Sequence, residues 1–268
     1  MANSNIKDLI FEHGQRYVRE VLADHLREEG FISKNDVHWY RLINNQILQS
    51  IFFHTSNTFF PLFLEISYGC HPLFTIPEFP KGVYMFSTGY LTTNNKKEKY
   101  TWGGTAMSMR SDKTNAPYSR EACVMCATDD AGKRETVDKI FAELEQVTTE
   151  EVCYQKHKKY YLETFKNNME RLFYSLSMDF MDEVIYFNDT ELYPFCEKKL
   201  EWKIASFNQK KQENRLPKSW EKEVDRFIAL RRAIVDGERE KHLEYLESQR
   251  KKTIQLLQKK LDITVELK

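Results

Sequence analysis

The sequence predicts an α+β protein: an antiparallel sheet of four to six strands, covered by an N-terminal helix on one face and by C-terminal helices on the other. Three observations carry this expectation. Apolar residues recur at three- and four-residue steps before Gly30, they alternate with strand period between Val37 and Tyr68, and beyond Gly132 the helical period returns and persists. With 268 residues, of which 41% are hydrophobic and 30% charged, the chain can bury a core without disulfides and lacks the composition of a disordered one. Aromatic residues make up 13%, which suggests a core filled by rings as much as by aliphatic groups.

Taken in order, Ile6 to Glu29 places Ile6, Leu9, Ile10, Tyr17, Val18, Val21, Leu22 and Leu26 on one helical stripe, ended by Gly30 at the usual glycine stop. Asp36 to Ile43 reads as a strand, with Val37 and Trp39 on one face and His38, Tyr40 and Leu42 on the other. Asn44-Asn45 is a tight turn, since Asn tolerates positive φ, and Gln46 to Thr55 is the return strand. Phe60 to Tyr68 supplies a third strand, completing a meander. Gly69 to Pro80, with three prolines and no period, reads as a loop; short strands follow at Val83–Ser87 and Lys99–Trp102, and Gly103–Ser119 is irregular. On this reading Trp39, Ile51, Phe53 and Phe63 face away from Tyr40, Leu48, Leu64 and Ile66. A sheet apolar on both sides needs two covers.

The helical half begins with Thr136–Val147, then a capped start at Thr148-Thr149-Glu150-Glu151 for a helix through Leu176. Glu191–Glu213 is helical with Pro194 tolerated near its start. Pro217 opens a final helix that Asp236-Gly237 kinks or splits. Its stripe (Val224, Phe227, Ile228, Ile234, Leu243, Leu246, Ile254, Leu257, Leu261) drifts with helical period. Continuing a heptad from Leu243 and Leu246 puts Arg250 and Thr253 in the seam, which argues for local packing over a long coiled coil. Two parts, 1–132 and 133–268, are therefore expected to share an interface and fold as one cooperative unit.

Forty basic and forty acidic residues cancel, so no whole-molecule field draws the chain to polyanions. From Glu197 onward 19 basic residues meet 13 acidic ones, interleaved over helical turns, which reads as a solvated face. Nucleic-acid binding through those helices is accordingly the weakest of the functional readings. The N-terminus shows no secretory pattern, and the longest apolar run, Phe59–Leu64, is broken by Pro61; a cytoplasmic protein without a membrane partner is expected. Five cysteines in uneven spacing predict reduced thiols.

The sharpest local pattern is Cys123-Val-Met-Cys126, whose spacing lets two sulfurs converge on zinc or exchange a disulfide. No second pair completes it, so Cys123 and Cys126 read as ordinary cysteines first and as metal ligands second. Asp179, Asp182 and Glu183 fall at i, i+3 and i+4; apolar neighbours on the other face make them an acidic solvated side rather than a cation site. His157, between Lys156 and Lys158-Lys159, has no recognisable role. His71, expected on a loop just after a strand, is the best single candidate for a ligand contact, with Arg41 and Glu65 near the same sheet region. There is no nucleophile elbow, P-loop or dinucleotide fingerprint, so no catalytic residue and no cofactor is assigned.

Residues 29–34 (Glu-Gly-Phe-Ile-Ser-Lys), Trp39-Tyr40, Asn45-Gln46-Ile47-Leu48-Gln49 and Leu64-Glu65-Ile66-Ser67-Tyr68-Gly69 resemble a bacterial family of small α+β domains of unknown function. That family similarly opens with a helix, a Gly-Phe-x-x-Lys turn and antiparallel strands. The resemblance spans residues 5–70, implies a bacterial α+β domain, and brings no catalytic residues with it. A noncatalytic binding or accessory protein of the bacterial cytoplasm, recognising another protein or itself, is the expected function. An enzyme or metalloprotein with a dispersed site near His71 and Cys123/Cys126 is the alternative.

Overall fold

The computed structural model describes residues 23–33, 38–55, 64–75, 105–107, 138, 141–142, 144–169, 172–213, 215 and 221–261. The predicted helix before Ala23, the predicted strands at 83–87 and 99–102, and the Cys123–Cys126 motif lie outside them. The chain divides into two compact units: Met1–Pro72 with Glu78–Cys153 and Leu256–Lys268, and Leu73–Pro77 with Tyr154–Gln255.

In the first unit, α1 (Ala23–Glu28) ends as its sequence dictates. Gly30 takes φ +80°, the Phe31 N–H donates to the Leu26 carbonyl (2.8 Å) and the Gly30 N–H to Arg27 (2.9 Å). These two bonds satisfy carbonyls that the end of a helix leaves open, and they turn Phe31 back into the core beside Leu26. Strands β1 (His38–Ile43) and β2 (Ile47–Thr55) are joined through Asn44 and Asn45 at φ +51° and +56°, with the Gln46 N–H donating to Ile43 O. Strand β3 (Leu64–Pro72) and the short β4 (Thr105–Met107) complete an antiparallel sheet in the order β1-β2-β3-β4.

Three strand-level expectations are corrected. The third strand runs four residues further than predicted, so Gly69, Cys70, His71 and Pro72 are strand rather than loop. They extend the ladder along β2, where Ile47 pairs with Pro72 and Leu48 with His71, and Pro72 ends the strand where its missing N–H costs least. The register also pairs Ile51 with Tyr68 and Phe53 with Ile66, so the even-numbered residues of β3 share register with Trp39 and Ile51, not with Leu48. A one-residue offset is enough for that inversion. Finally, the stretch read as irregular contains β4, paired with Glu65–Ser67.

Both faces of the sheet are buried nonetheless. Trp39, Ile47, Ile51, Tyr68 and Cys70 join Ala23, Leu26, Phe31, Phe141, Leu144, Val147 and Cys153 in one core, while Tyr40, Leu48, Ser50 and His71 are buried on the opposite side. Each fully buried apolar side chain contributes roughly 1.5–3 kcal/mol.

The second unit is helical. α2 (Glu150–Phe165), whose residues through Cys153 belong to the first unit, starts where predicted, its Val152 N–H donating to Thr149 Oγ1. It ends at Phe165 instead of running through Leu176: residues 166–168 leave the helix, and α3 (Leu172–Ser175) is separate. α4 (Met178–Tyr186) is capped by Ser177, whose Oγ accepts the Phe180 N–H at 3.0 Å. α5 (Tyr193–Gln212) carries Pro194 in its first turn, as expected. The final helical region is split at Gly237, φ +75°, into α6 (Glu221–Val235) and α7 (Arg239–Leu261). Tyr154, Tyr161, Leu176, Phe180, Met181, Val184, Ile185, Leu200, Phe207, Phe227 and Leu230 form its core. Phe74, in a 3₁₀ turn at Leu73–Thr75, stacks on Tyr186 at 4.3 Å.

The seam residues that argued against a heptad in α7 turn inward. Thr253 is buried, and Arg250 lies over the rings of Phe74 and Tyr186 at 5.4 and 5.8 Å while donating to the Tyr186 hydroxyl. A guanidinium on aromatic faces fills an inward position as well as an aliphatic chain does.

Candidate functional site

The residues singled out in the sheet are not brought together. Arg41 and His71 occupy opposite faces, because Arg41 pairs with Gln49, whose partner on β3 is Cys70, whereas His71 pairs with Leu48. Glu65 pairs with His54 and Met107, six residues up β3 from His71 and therefore about 20 Å away along the strand. Arg41 has a tying role: its Nε donates to Gln49 Oε1 (2.9 Å), its Nη1 to the Glu29 carbonyl (2.8 Å), and the guanidinium covers the Phe31 ring at 4.6 Å. Gln49, almost fully buried, donates in turn to the Leu144 and Val147 carbonyls at 2.8 and 3.3 Å. Cys70, Cys153 and Cys196 are buried, and burial pushes the Cys196 thiol up to about 12, with help from Asp189.

The concentrated chemistry lies in the helical unit, at residues the sequence assigns to solvent. Asp182 and Glu183 on α4 are 1% and 3% exposed, so the predicted solvated acidic side is a buried charge cluster. Its counterions come from three other helices. Arg226 of α6 donates to Asp179 Oδ1 at 2.8 Å and to Asp182 Oδ2 at 2.5 Å; His242 of α7 meets Asp182 Oδ1 at 2.8 Å; His157 of α2 places Nδ1 2.8 and 3.0 Å from the two Glu183 oxygens. Burial disfavours the Arg226 charge, but Asp182 and Asp179 more than offset it and hold the guanidinium pKa above its usual value. Burial raises the Glu183 carboxyl, and the attraction of His157 only partly offsets that. The expectation that His157 sits uselessly among lysines is thus overturned. Lys158 turns away to Asp189, which also accepts the Tyr154 hydroxyl at 2.5 Å, and the imidazole faces inward.

A cleft of about 380 Å³ opens between α6 and α7 against this cluster, lined by Asp225, Arg226, Arg232, Glu238, His242 and Tyr245 among others. Of its cations, Arg226 is taken by two aspartates and Lys241 by Glu238.

A second feature is exposed. Tyr174 and Trp202 are 52% and 44% accessible, stand edge to face at 5.4 Å, and are surrounded by lysines. Lys199 and Lys203 approach the Trp202 ring at 5.6 and 5.4 Å, Lys198 covers Phe173 at 4.7 Å, and Lys199 Nζ donates to the Tyr174 carbonyl. Burial, with the charge of Lys203, pulls the Lys199 amine down to about 8. On α5, Glu201 and Glu197 fall about 100° or more around the helix from Trp202, which separates an acidic flank from this aromatic and basic one.

Among the described residues no group of three or more His, Cys, Asp or Glu is arranged to hold a metal ion, and no helix is long and apolar enough to cross a membrane. No family model, no curated protein and no solved structure matches the chain.

Proposed function

We propose that the chain is a noncatalytic binding protein of the bacterial cytoplasm whose helical unit docks an acidic segment of another protein on the Tyr174–Trp202 patch. The single observation that carries this reading is the exposed, edge-to-face aromatic pair flanked by Lys198 and Lys203, with the buried Lys199 tying Trp202 to the Tyr174 carbonyl. Tyr and Trp are the side chains that concentrate binding energy at interfaces, because they bury large area at small entropic cost. The lysines select the partner's charge, and their separation from Glu197 and Glu201 keeps that selection from being cancelled locally.

The test is a photo-crosslinking residue placed at position 202 of the full chain and expressed in a bacterial host, with position 208 on the same helix as control. The expected result is a discrete adduct at 202, mapped by mass spectrometry to a Glu/Asp-rich segment and weakened by a Lys198→Glu/Lys203→Glu background. Adducts equally strong at 208, or unaffected by charge reversal, would sink the reading. Adducts with the chain itself, together with a dimer by light scattering, would replace the acidic partner by a second copy. A single-stranded oligonucleotide that competes the adduct away would replace it by nucleic acid.

A further inference from the structure

We infer that the Glu183–His157 pair is a proton-holding clamp between α2 and α4, which makes the packing of the helical unit loosen as pH rises above neutrality. Charge balance around α4 leaves one carboxylate unmatched. Asp179, Asp182 and Glu183 bring three negative charges to one helix, and Arg226 brings one fixed positive charge. Asp179 shares Arg226 with Asp182, and although burial raises its carboxyl its side chain is 46% exposed and keeps part of its hydration. Glu183 is left over. Its side chain is 3% exposed, and among the described residues its only ion pair is to His157, itself 6% exposed. A buried carboxylate without a counterion costs several kcal/mol, so the pair keeps one proton between them, on the imidazole or on the carboxyl.

The surroundings agree with this assignment. The charged groups acting on the pair from α4 are Asp179 and Asp182, both of which favour retention of the proton. From α6 comes Arg226, which opposes it but is bound to those two aspartates. On α2 itself, the Tyr154 hydroxyl lies within the field of Glu183 but donates to Asp189, Lys158 is engaged by Asp189 and Glu191, and Lys156 is half-buried next to the histidine in sequence. His242 and Tyr245 of α7 face Asp182 and its neighbours rather than Glu183. The upward push of burial on Glu183 points the same way.

The sign follows from linkage. In the unfolded chain the imidazole releases its proton near pH 6.5 and the carboxyl well below that, so the pair is empty at pH 7.5. The folded pair still holds one. A proton held above the unfolded value stabilises fully below about pH 6.5 and is lost as pH rises through the folded value.

The test compares denaturant unfolding of the full chain with that of Glu183→Gln between pH 6.5 and 8. Gln keeps the bond to His157 and removes the charge, and every other titrating group, Lys199 included, is common to both proteins. The expected wild-type unfolding constant rises up to about tenfold more per pH unit than that of the variant, the limit for one proton. Equal slopes would overturn the clamp. If Glu183→Gln does not fold, NMR of His157 and the Glu183 carboxyl in the wild-type chain at pH 8 decides: a proton on either group supports the clamp, and a neutral imidazole beside an ionised carboxylate overturns it. His242→Gln serves as the internal contrast, because Arg226 already balances Asp182; a slope change there as large as in Glu183→Gln would assign the proton to the wrong pair and overturn the proposal.

Discussion

Gln49 in the sheet unit and the Asp182–Glu183 cluster in the helical unit are both buried polar ties, and they are of different kinds. In the sheet unit the central polar residue is Gln49, a neutral amide that accepts from Arg41 and spends its donors on the Leu144 and Val147 carbonyls. In the helical unit the tie is ionisable: Asp182, Glu183, His157 and His242 gather around Arg226. An amide ties two segments at a cost that does not depend on pH or salt. A carboxylate cluster ties four helices at once, but only while charges and protons balance. One arrangement therefore gives a fixed scaffold, and the other a conditional one.

The comparison breaks most visibly at Asp182. Asp182→Ala leaves Arg226 with Asp179 alone and takes the carboxylate from His242, and the expected loss is about 3–5 kcal/mol, the cost of breaking a buried ion pair by removing one partner. Hydrogen exchange should show the loss in α4, α6 and α7. If β1–β3 lose protection to the same degree, the two units unfold as one, and the contrast concerns chemistry but not cooperativity.

Gln49→Ala tests the other side. It removes an acceptor from Arg41 and donors from two buried carbonyls, so about 1–3 kcal/mol should be lost, with the same value at pH 6 and pH 8. A loss that changes with pH would mean that the neutral tie is coupled to a titrating group, and the contrast would fail.

The two units were also unequally legible in the sequence, for a related reason. Local rules located Gly30, the Asn44-Asn45 turn, the Thr149 cap, Pro194 and the break at Gly237, because each depends on the backbone preference of one or two residues. The end of β3 is not legible locally, because Gly69 and Pro72 read as punctuation, whereas the length of β2 and its pairing decide where the strand stops. The acidic triplet was visible as i, i+3, i+4 spacing but assigned to solvent. Its partners lie 26, 44 and 60 residues away, and no local pattern announces them. Arg250 and Thr253 were discounted as seam residues for the same reason: the rings of Phe74 and Tyr186 that receive Arg250 come from elsewhere in the chain. The Tyr174–Trp202 patch had no sequence signal beyond a high aromatic content.

A smaller effect is expected at Gly30, and it separates backbone strain from packing. A Cβ there would meet Arg41 Cδ at an ordinary 3.6 Å, so space is not the obstacle. The φ of +80° is, and Gly30→Ala should cost about 1–2 kcal/mol, measured by thermal or denaturant unfolding. Gly30→Asn, which tolerates that backbone region better, should recover part of it.

The smallest stability effect should come from the residue with the largest functional one. Trp202 is 44% exposed on the flank of α5, and its ring rests against lysine side chains rather than in the core. Trp202→Ala should therefore shift stability by only about 0.5 kcal/mol, the range of ordinary surface changes. Paired with Tyr174→Ala it should abolish capture of an acidic partner. A loss above about 2 kcal/mol would mark the pair as core that happens to reach the surface, since a binding site contributes its energy only when the partner is present. The same variant also reads Lys199. Its amine, held down to about 8 by burial, should return towards the ordinary lysine range once the Trp202 ring is gone and water reaches Nζ. A Lys199 amine that still titrates near 8 in the variant would place the desolvation in the helix packing beneath it, and would detach that lysine from the docking surface.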